Sequence, residues 1–542
     1  MQEPALKIAR EMGLETVAVD ADPEAPSIHL ADRFEKVDLK DKEGIETLAR
    51  SLKAGGGLGG IMTAGTDFSA TVAWTAEKLE LPGISYEAAL DASDKGRMRQ
   101  RFKAAGLPSP EFFVTECPPG EGFILPFPFP VVVKPVDNMG ARGCSRVDSF
   151  EELSVAVSEA LGFSRSGRAI VEEYMEGPEF SVDALVYQGE ITICGLADRH
   201  IFFPPYFIEM GHTMPTSIEP AIISSLLETF RKGVKALGIT NGAAKGDIKL
   251  TKRGPMIGEI AARLSGGYMS GWTYPYSSGV LPTKGAIEIA IGEKPSRLQT
   301  LWNWTTAERA FISIPGKVRS IEGMEIAMVM PWVKNVFTRV KPGSDVGFPE
   351  NNVSKCGNII SAAQNREDAI NSAEVAARSI LIRLETQNKE TKTFLSIPPA
   401  EATFPPNAFP VDSRLLSLLE VLPEQGSGNR EHGTGIGAVE SPVPNPYSLI
   451  PFPEFTESGL TDYVGRSVKE SLDAIRTLTG MELPILEKNA SIEFLGRSFW
   501  QALIRGGYQG AAYHIDSLWG LDTRDQGVGA GDCESEKEKN DL

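Results

Sequence analysis

Cysteine and histidine are scarce in this sequence, and their scarcity argues against several classes of site. The 542 residues contain five cysteines and five histidines. The cysteines are scattered, with no close pair and no histidine at ligand spacing: Cys117, Cys144, Cys194, Cys356 and Cys533. The sequence therefore predicts neither a disulfide framework nor a structural zinc site, and it predicts a reducing, cytoplasmic location.

Long apolar segments and positive charge are also lacking. No run reaches the ~18 apolar residues that a membrane-spanning helix needs, and the opening MQEPALKIAREMG has no apolar signal-peptide core. The chain has 54 Lys and Arg against 72 Asp and Glu, for a net charge of −18. So acidic a chain disfavours nucleic acid and anionic membranes as partners. Small molecules remain as the predicted partners, including an anionic nucleotide in a locally basic pocket.

The length exceeds what one hydrophobic core supports, so several domains are predicted. Over residues 1–90 helices alternate with the strand candidates TVAVDA, FEKVDL and GGIMTAGTD, which predicts a parallel, Rossmann-like sheet. A doubly wound domain normally opens with a strand, whereas this sequence opens with helical spacing. We therefore expect a missing first strand.

The predicted fold class is α/β and α+β, with several domains. After the domain at 1–90 we predict a two-lobed domain at 91–295 and a β-rich C-terminal domain at 296–395. A small appended helical module is predicted at 396–542. Within that module 396–410 and 424–446 have the composition of linkers, and the tail at 529–542 has that of a disordered segment.

Two lysines and a glycine-rich loop carry the first functional signal. Lys95 begins a predicted helix, and Lys134 ends an apolar strand, where its charge is costly unless an anion compensates it. A snorkelling lysine is the alternative for Lys134. The stretch DNMGARGCSRV follows, with Gly140, Gly143 and Ser145. Its backbone N–H groups suit phosphate oxygens, although the spacing is not that of a Walker loop.

Acidic residues form a second group of candidates. Glu172 and Glu179 flank the glycine turn of VEEYMEGPEFSVD, where they could meet a base and a sugar hydroxyl; a charged hairpin surface is the alternative. Asp247 and Glu259 lie on a predicted hairpin that would bring them together, and two close carboxylates need a proton or a bridging cation. Hard oxygen ligands beside phosphate point to Mg²⁺. Arg263, in EIAARLSGG, suits a carboxylate or a phosphoryl group.

Taken in order, these motifs resemble the ATP-grasp superfamily over about residues 1–390. They are most similar to the carboxylate–amine ligases that include carbamoyl-phosphate synthase, biotin carboxylase and the L-amino-acid ligases. The resemblance makes 1–90 a pre-ATP-grasp domain and 91–295 the ATP-grasp domain. It implies that Lys95 and Lys134 contact the ATP phosphates and that the 138–145 loop closes over the γ-phosphate. It also implies that Glu172 and the backbone of Glu173 and Met175 hold adenine, with Glu179 on the ribose.

The same resemblance assigns metal and catalytic roles. Asp247 and Glu259 would bind Mg²⁺, with Mn²⁺ as an alternative. Arg263 would steady the transferred phosphate or the acyl-phosphate intermediate, and Lys134 is the second residue with a catalytic role. The family's usual third residue of the metal shell is an asparagine two positions after the second acid. Ala261 stands there in this chain, which puts the coordination of a second metal in doubt.

The acceptor site is predicted in DRHIFFPPYFIEMGHTMP, where Asp198, Glu209 and His212 are candidates for gripping a substrate; a structural histidine is the alternative for His212. The predicted function is an ATP-dependent, ADP-forming ligase that activates a carboxylate as an acyl phosphate for attack by an amine. An L-amino acid is the first candidate substrate. A carbamoyl-phosphate or purine-type ligase acting on bicarbonate or a small carboxylate is one alternative, and a catalytically inactive nucleotide-binding regulator is another. A homodimer is the predicted assembly.

Overall fold

The computed structural model describes residues 2–120, 122–420, 455, 458–479 and 496–519. The chain divides into two units, each considered by itself below. The first comprises Met1–Ala310, Met328–Phe337 and Pro349–Ala376. The second comprises Phe311–Ala327, Thr338–Phe348 and the described part of Ala377–Leu542. Among the described helices, none is both long and apolar enough to cross a membrane.

The strands of the described residues are, in chain order, β1 (Val17–Asp20), β2 (Arg33–Lys36), β3 (Phe112–Thr115), β4 (Val131–Pro135), β5 (Ser145–Val147), β6 (Ala169–Glu173), β7 (Glu179–Tyr187), β8 (Glu190–Phe202), β9 (Ile208–Met214), β10 (Gly242–Thr251), β11 (Gly254–Ala261), β12 (Thr305–Phe311), β13 (Gly316–Glu322), β14 (Val333–Thr338), β15 (Asp345–Val346), β16 (Gly357–Ala363) and β17 (Leu381–Leu384).

The α-helices are α1 (Gln2–Glu11), α2 (Lys42–Ala54), α3 (Ser69–Lys78), α4 (Tyr86–Ser93), α5 (Lys95–Ala104), α6 (Phe150–Phe163), α7 (Pro220–Ala236), α8 (Tyr274–Ser278), α9 (Pro282–Ala290), α10 (Met324–Val329), α11 (Arg366–Ser379), α12 (Lys389–Ser396), α13 (Ser413–Glu420), α14 (Val468–Thr479) and α15 (Arg497–Trp519). Short 3₁₀ turns lie at Ile28–Leu30 and Pro399–Glu401, and a π-helical turn lies at Met269–Thr273.

The amino-terminal segment pairs β1 with β2 in parallel, as the sequence predicts. The prediction of a third strand at GGIMTAGTD is wrong, because residues 59–67 hold no strand. A Cβ added at Gly60 would lie 2.1 Å from the carbonyl oxygen of Ala290. The backbone here therefore lies against the end of α9, and the glycines serve this close approach rather than a strand ladder.

A small antiparallel sheet in the order β3-β6-β4-β5 follows in the first unit. Helix α6 begins at a serine cap, Ser149, whose hydroxyl accepts from the N–H of Glu152. Its apolar face packs on the sheet through Leu153 and Val157 against Val131. This lobe carries the candidate lysine of β4 and the glycine-rich loop between β4 and β5.

The larger sheet of the first unit has the order β11-β10-β7-β8-β9-β12-β16-β14 within the described residues. Neighbouring strands from β11 to β12 run antiparallel. Helix α7 covers one face, where Phe230 and Val234 pack against Ile260 and its neighbours. Gly246 makes room for this helix, since a Cβ there would lie 2.5 Å from the ring of Phe230. The opposite face carries the charged candidates.

The second unit contains the sheet β15-β13-β17 and an apolar core built by helices α13 to α15 with the segment before them. The linker predicted at 396–410 packs into this core instead, because Ala408 and Phe409 are buried. Arg383 of β17 forms an ion pair with the buried Asp516 of α15. The predicted 296–395 domain is not one unit here, since its strands divide between the two sheets. The predicted linker at 424–446 and tail at 529–542 lie outside the described residues.

Candidate active site

The two candidate lysines lie at the ends of neighbouring elements. Asp94 caps α5 by accepting from the N–H of Arg97, which makes Lys95 the first helical residue. Lys95 Nζ donates to the carbonyl oxygen of Asn138 at 2.8 Å and lies 3.4 Å from Glu259 Oε1. Burial opposes its charge, yet the carboxylate of Glu259 raises the pKa of Lys95 above its ordinary value. One ammonium group therefore contacts both the glycine-rich loop and a candidate metal ligand.

The glycine-rich loop contains left-handed backbone at two of its glycines. Gly140 and Gly143 have φ of +70° and +65°, a region that glycine adopts without strain. A Cβ at Gly143 would also lie 2.7 Å from the ring of Phe163. Ser145 lies just beyond the loop, buried in β5 opposite Val133.

Glu172 is buried between two cations. Its Oε1 accepts from Arg99 Nε at 2.8 Å, and its Oε2 lies 2.6 Å from Lys134 Nζ. Burial raises the pKa of Glu172, but Arg99 and Lys134 lower it below its ordinary range. Each oxygen of the carboxylate thus holds one cation and keeps further acceptor capacity, so the adenine contact stays a prediction. The evident effect of the carboxylate is to hold Lys134 in place.

The other predicted nucleotide residues lie near the turn between β6 and β7. Glu173 forms an ion pair with Arg253 at 2.7 Å, and the carbonyl oxygen of Met175 accepts from Lys249 Nζ at 3.1 Å. Glu179 Oε2 lies 3.6 Å from the same Lys249 Nζ. Lys249 therefore contacts both Met175 and Glu179, whereas Glu173 is paired with Arg253.

Asp247 and Glu259 are direct register partners in the β10–β11 hairpin. Asp247 is buried, and its Oδ2 is paired with Lys245 and with Arg199, the latter at 3.0 Å. Its Oδ1 is buried and has no hydrogen-bond partner. The side chain of Glu259 is 33% exposed. Burial raises its pKa, but Lys95 and other nearby cations lower it to about 2, so this carboxylate is ionised at neutral pH.

Arg263 follows the end of β11 and is only partly engaged. Its Nη1 donates to the carbonyl oxygen of Leu264 at 2.9 Å, while its buried Nε has no partner. Ala261, in the position where the family has asparagine, is buried in β11. It offers no ligand atom.

The predicted substrate residues separate into two groups. Asp198 is occupied, since it forms an ion pair with Arg366 at 2.6 Å and accepts from the hydroxyl of Thr216. Glu209 and His212 instead lie together, with His212 Nε2 3.5 Å from Glu209 Oε2.

His212 is held by a second carboxylate. Its Nδ1 lies 2.8 Å from Glu308 Oε2. Burial lowers the pKa of His212, but Glu209 and Glu308 raise it to about 9. The ring is therefore a cation at neutral pH.

The carboxylate pair fits a magnesium ion. The orphaned Oδ1 of Asp247 is a buried acceptor that lacks a donor, and the ionised Glu259 stands across from it. No group of three or more protein ligands of this kind is found among the described residues. Mg²⁺ commonly takes one or two carboxylates and completes its shell with water and nucleotide oxygens. The donor set is therefore suitable for Mg²⁺ with a bound nucleotide.

Sequence reasoning missed three cations that organise these acids: Arg99, Arg199 and Lys245. Arg99 lies one helical turn after Lys95, and Lys245 lies two residues before Asp247 on the same face of β10. These spacings could have identified both. Arg199 could not be found in this way, because its contacts depend on the pairing of β7, β8 and β10.

Two known protein families match parts of this chain. The ATP-grasp domain family matches residues 127–271, and the family described as L-amino acid ligase C-terminal domain 2 matches residues 310–385. An uncharacterized protein of Sinorhizobium fredii is 24% identical over 382 residues, which cover 69% of this chain and 79% of that protein. Human carnosine synthase 1 is 24% identical over 314 residues, or 53% of this chain. This chain spans only 38% of the length of that relative.

A solved structure extends the likeness to the fold. The crystal structure of L-amino acid ligase from Bacillus licheniformis matches with a TM-score of 0.63 and 21% identity, over 71% of this chain and 96% of that one. The predicted multidomain α/β and α+β fold is thereby confirmed. The chain therefore carries an ATP-grasp domain followed by an L-amino acid ligase C-terminal domain.

Proposed function

We propose that this protein is an ADP-forming ligase that uses Mg²⁺ and ATP to activate an L-amino acid and joins its carboxyl group to an amine. The observation that carries the proposal is the double contact of Lys95. Its ammonium group lies 2.8 Å from the carbonyl oxygen of Asn138 in the glycine-rich loop and 3.4 Å from Glu259 in the metal hairpin. The proposed phosphate-binding loop and a proposed magnesium ligand thus both contact the ammonium group of Lys95.

Unpartnered polar atoms support a ligand at this place. Buried side-chain atoms without a hydrogen-bond partner lie on Asp247, on its register partner Ser181, and on Arg263, whose charge acts on Glu259. Buried polar atoms cost free energy unless a partner satisfies them. A polar ligand with its metal and waters would supply those partners.

The roles follow from charge and position. Lys95 and Lys134, with the 138–145 loop, would hold the phosphates of ATP, and Asp247 and Glu259 would hold Mg²⁺. The metal would neutralise charge on the phosphate oxygens. Glu173, Met175 and Glu179 are proposed at the nucleoside. Glu172 acts by positioning Lys134.

The chemistry required of these residues is charge stabilisation. An oxygen of the substrate carboxylate attacks the γ-phosphorus as the bond to the bridging β–γ oxygen breaks, which gives an acyl phosphate and ADP. The amine then attacks the acyl carbon, loses a proton and releases phosphate. Arg263 is suited to the phosphoryl group in both steps, because its Nε has no partner and a guanidinium group presents paired donors to phosphoryl oxygens.

The acceptor pocket is proposed around Asp198, Glu209 and His212. Each already has an ionic partner in the protein that a substrate would join or displace. The charged His212 suits a carboxylate or phosphate oxygen, and Glu209 suits an amino group. A substrate with both an amino and a carboxyl group matches this combination. The L-amino acid ligase matches in fold and C-terminal family support the same choice.

The test is release of ADP and phosphate from ATP and Mg²⁺ across the twenty L-amino acids, singly and in pairs, with bicarbonate and small carboxylates as further substrates. Glu259→Gln should abolish the stimulated release. Glu190→Gln is the matched control, because Glu190 is exposed at the β7–β8 turn and its substitution should leave release unchanged.

Stimulation by bicarbonate alone would favour the carbamoyl-phosphate or purine-type alternative. Nucleotide binding without turnover on any substrate would favour the inactive regulator.

Two further expectations stay predictions of the sequence. The homodimer is tested by light scattering of the full chain, and the cytoplasmic location by fractionation of the source cells.

A further inference from the structure

We infer that Asn352 is a positioning residue that ties the glycine-rich loop to the strand carrying Glu209. The inference rests on the proposed function for the role of the loop in nucleotide binding. It assigns a task to residues 351–355, which lie just before β16 and far from both partners in sequence.

Asn352 makes one hydrogen bond to each side. Its backbone N–H donates to the carbonyl oxygen of Gly140 at 2.9 Å. Its side-chain Oδ1 accepts from the backbone N–H of Glu209 at 2.7 Å. A single half-buried residue therefore connects the loop between β4 and β5 with β9.

The neighbours of Asn352 reinforce both contacts. Val353 lies over the loop, with its Cγ1 3.8 Å from the Cβ position of Gly140. The buried Lys355 donates through Nζ to the carbonyl oxygen of Glu209 at 2.5 Å. The N–H and the carbonyl of Glu209 are thus both held by this segment, which fixes the backbone from which its carboxylate extends.

The segment is itself ordered by a side chain. Asn351 Oδ1 accepts from the N–H groups of Val353 and Ser354, at 3.0 and 3.2 Å. An Asx turn of this kind presets the backbone, so less conformational entropy is lost when Asn352 makes its two bonds. The turn at Asn351 therefore holds the backbone of Asn352 in the conformation that makes both hydrogen bonds.

The contacts of Asn352 extend through Glu209 to the hairpin formed by β10 and β11. The carboxylate of Glu209 forms an ion pair with Arg199 at 2.6 Å, and Arg199 lies 3.0 Å from Asp247. Contacts thus run from Gly140 through Asn352, Glu209 and Arg199 to Asp247. We expect the loop to be held near the metal carboxylates before nucleotide arrives, which lowers the ordering cost of binding.

The first test measures how fast trypsin cuts the full chain after Arg142, inside the loop, without nucleotide. Asn352→Ala removes the bond to Glu209 and should speed this cut about tenfold, which corresponds to the loss of roughly one hydrogen bond. Cleavage after the exposed Arg165 serves as the internal reference and should not change. Asn352→Asp keeps an acceptor oxygen, so trypsin should cut this variant after Arg142 as fast as it cuts the wild type. Asn303→Ala, at an exposed site, is the matched control.

The second test measures the Kd for ADP with Mg²⁺ by calorimetry. Asn352→Ala should weaken binding about three- to tenfold, because the competent loop conformation is less populated, and Asn352→Asp should restore it. If trypsin cuts Asn352→Ala after Arg142 no faster than the wild type, the inference is overturned. It is also overturned if the cut after Arg165 becomes faster too, because that result indicates general loosening of the fold. Failure of the wild type to bind ADP with Mg²⁺ would count against the proposed function and leave the cleavage result to decide the tie.

Discussion

Asp247 and Glu259 stand opposite each other in the hairpin register, yet their carboxylates have different surroundings. Asp247 is buried and paired with Lys245 and Arg199, while Glu259 is one-third exposed and faces Lys95. Like charges so close repel unless cations intervene. Cations on both sides of the pair offset this repulsion, and Oδ1 of Asp247 is left without a hydrogen-bond partner.

Asp247→Asn should raise the Mg²⁺ concentration needed for half-maximal activity and lower kcat. The loss of activity should be at least about 100-fold, since changing even the residues that hydrogen-bond to metal ligands commonly lowers metal affinity or activity 10- to 100-fold. ADP release titrated with Mg²⁺ measures both quantities. Asp345→Asn, at an exposed position, is the control and should behave as wild type. An unchanged Mg²⁺ requirement in Asp247→Asn would remove Asp247 from the metal site.

Arg199→Met should destabilise the protein severely. Arg199 is buried and compensates three carboxylates, Glu179, Glu209 and Asp247. Removing one partner of a buried ionic group costs about 3–5 kcal/mol. The measurement is urea unfolding followed by circular dichroism. Arg33→Met breaks only an exposed pair with Glu35 and should cost less than about 1 kcal/mol; equal effects of the two changes would contradict the buried network.

Stability should fall as the pH rises through about 9. Burial lowers the pKa of His212, but Glu209 and Glu308 raise it from 6.5 to about 9 in the folded protein. A group whose folded pKa is raised contributes stability that is fully present below pH 6.5 and is lost as pH rises through about 9.

His212→Asn should therefore flatten this part of the Tm-against-pH curve. The exposed His29 offers the control, and His29→Asn should keep the wild-type slope. A His212→Asn curve that still falls between pH 6.5 and 9 would assign the titration to other groups.

Gly60→Ala should destabilise the first unit, whereas Gly57→Ala should not. A Cβ at Gly60 would lie 2.1 Å from a backbone oxygen of Ala290, and nothing lies within 4 Å of one at Gly57. Forcing an atom into packed backbone typically costs 1–3 kcal/mol, and open surface changes stay within about 0.5 kcal/mol. Thermal unfolding of the two variants compares them directly. Similar midpoints would mean that the loop shifts to accept the methyl group.

The sequence indicates the hairpin and the family, because these depend on local order. Asp247 and Glu259 are separated by a turn signal, and a hairpin fixes which residues face each other. The glycine loop is equally local. These patterns cannot give the partner of a side chain two strands away in the sheet, such as Asp247 for Arg199, which is why Arg199 was missed. Asn352 was missed for the same reason, since its contacts join segments more than 140 residues apart.

The division of 296–395 also lay beyond local patterns. Strands β12 and β13 lie close together in the sequence, but β12 joins the larger sheet and β13 the small one. Strand propensity predicts that a segment will pair and does not specify with which edge. The linker at 396–410 was misjudged because proline-rich composition does not reveal that Phe409 is anchored in a core.

The path of the chain through the two units bears on synthesis. The chain passes from one unit to the other after residues 310, 327, 337, 348 and 376. Strands β14 and β16 of the larger sheet therefore leave the ribosome after part of the second unit has already been made. The first unit is complete only when Ala376 has emerged, so no single cut before that point yields it whole. A truncation series should give stable fragments in few places, and the two units should be expressed together rather than separately.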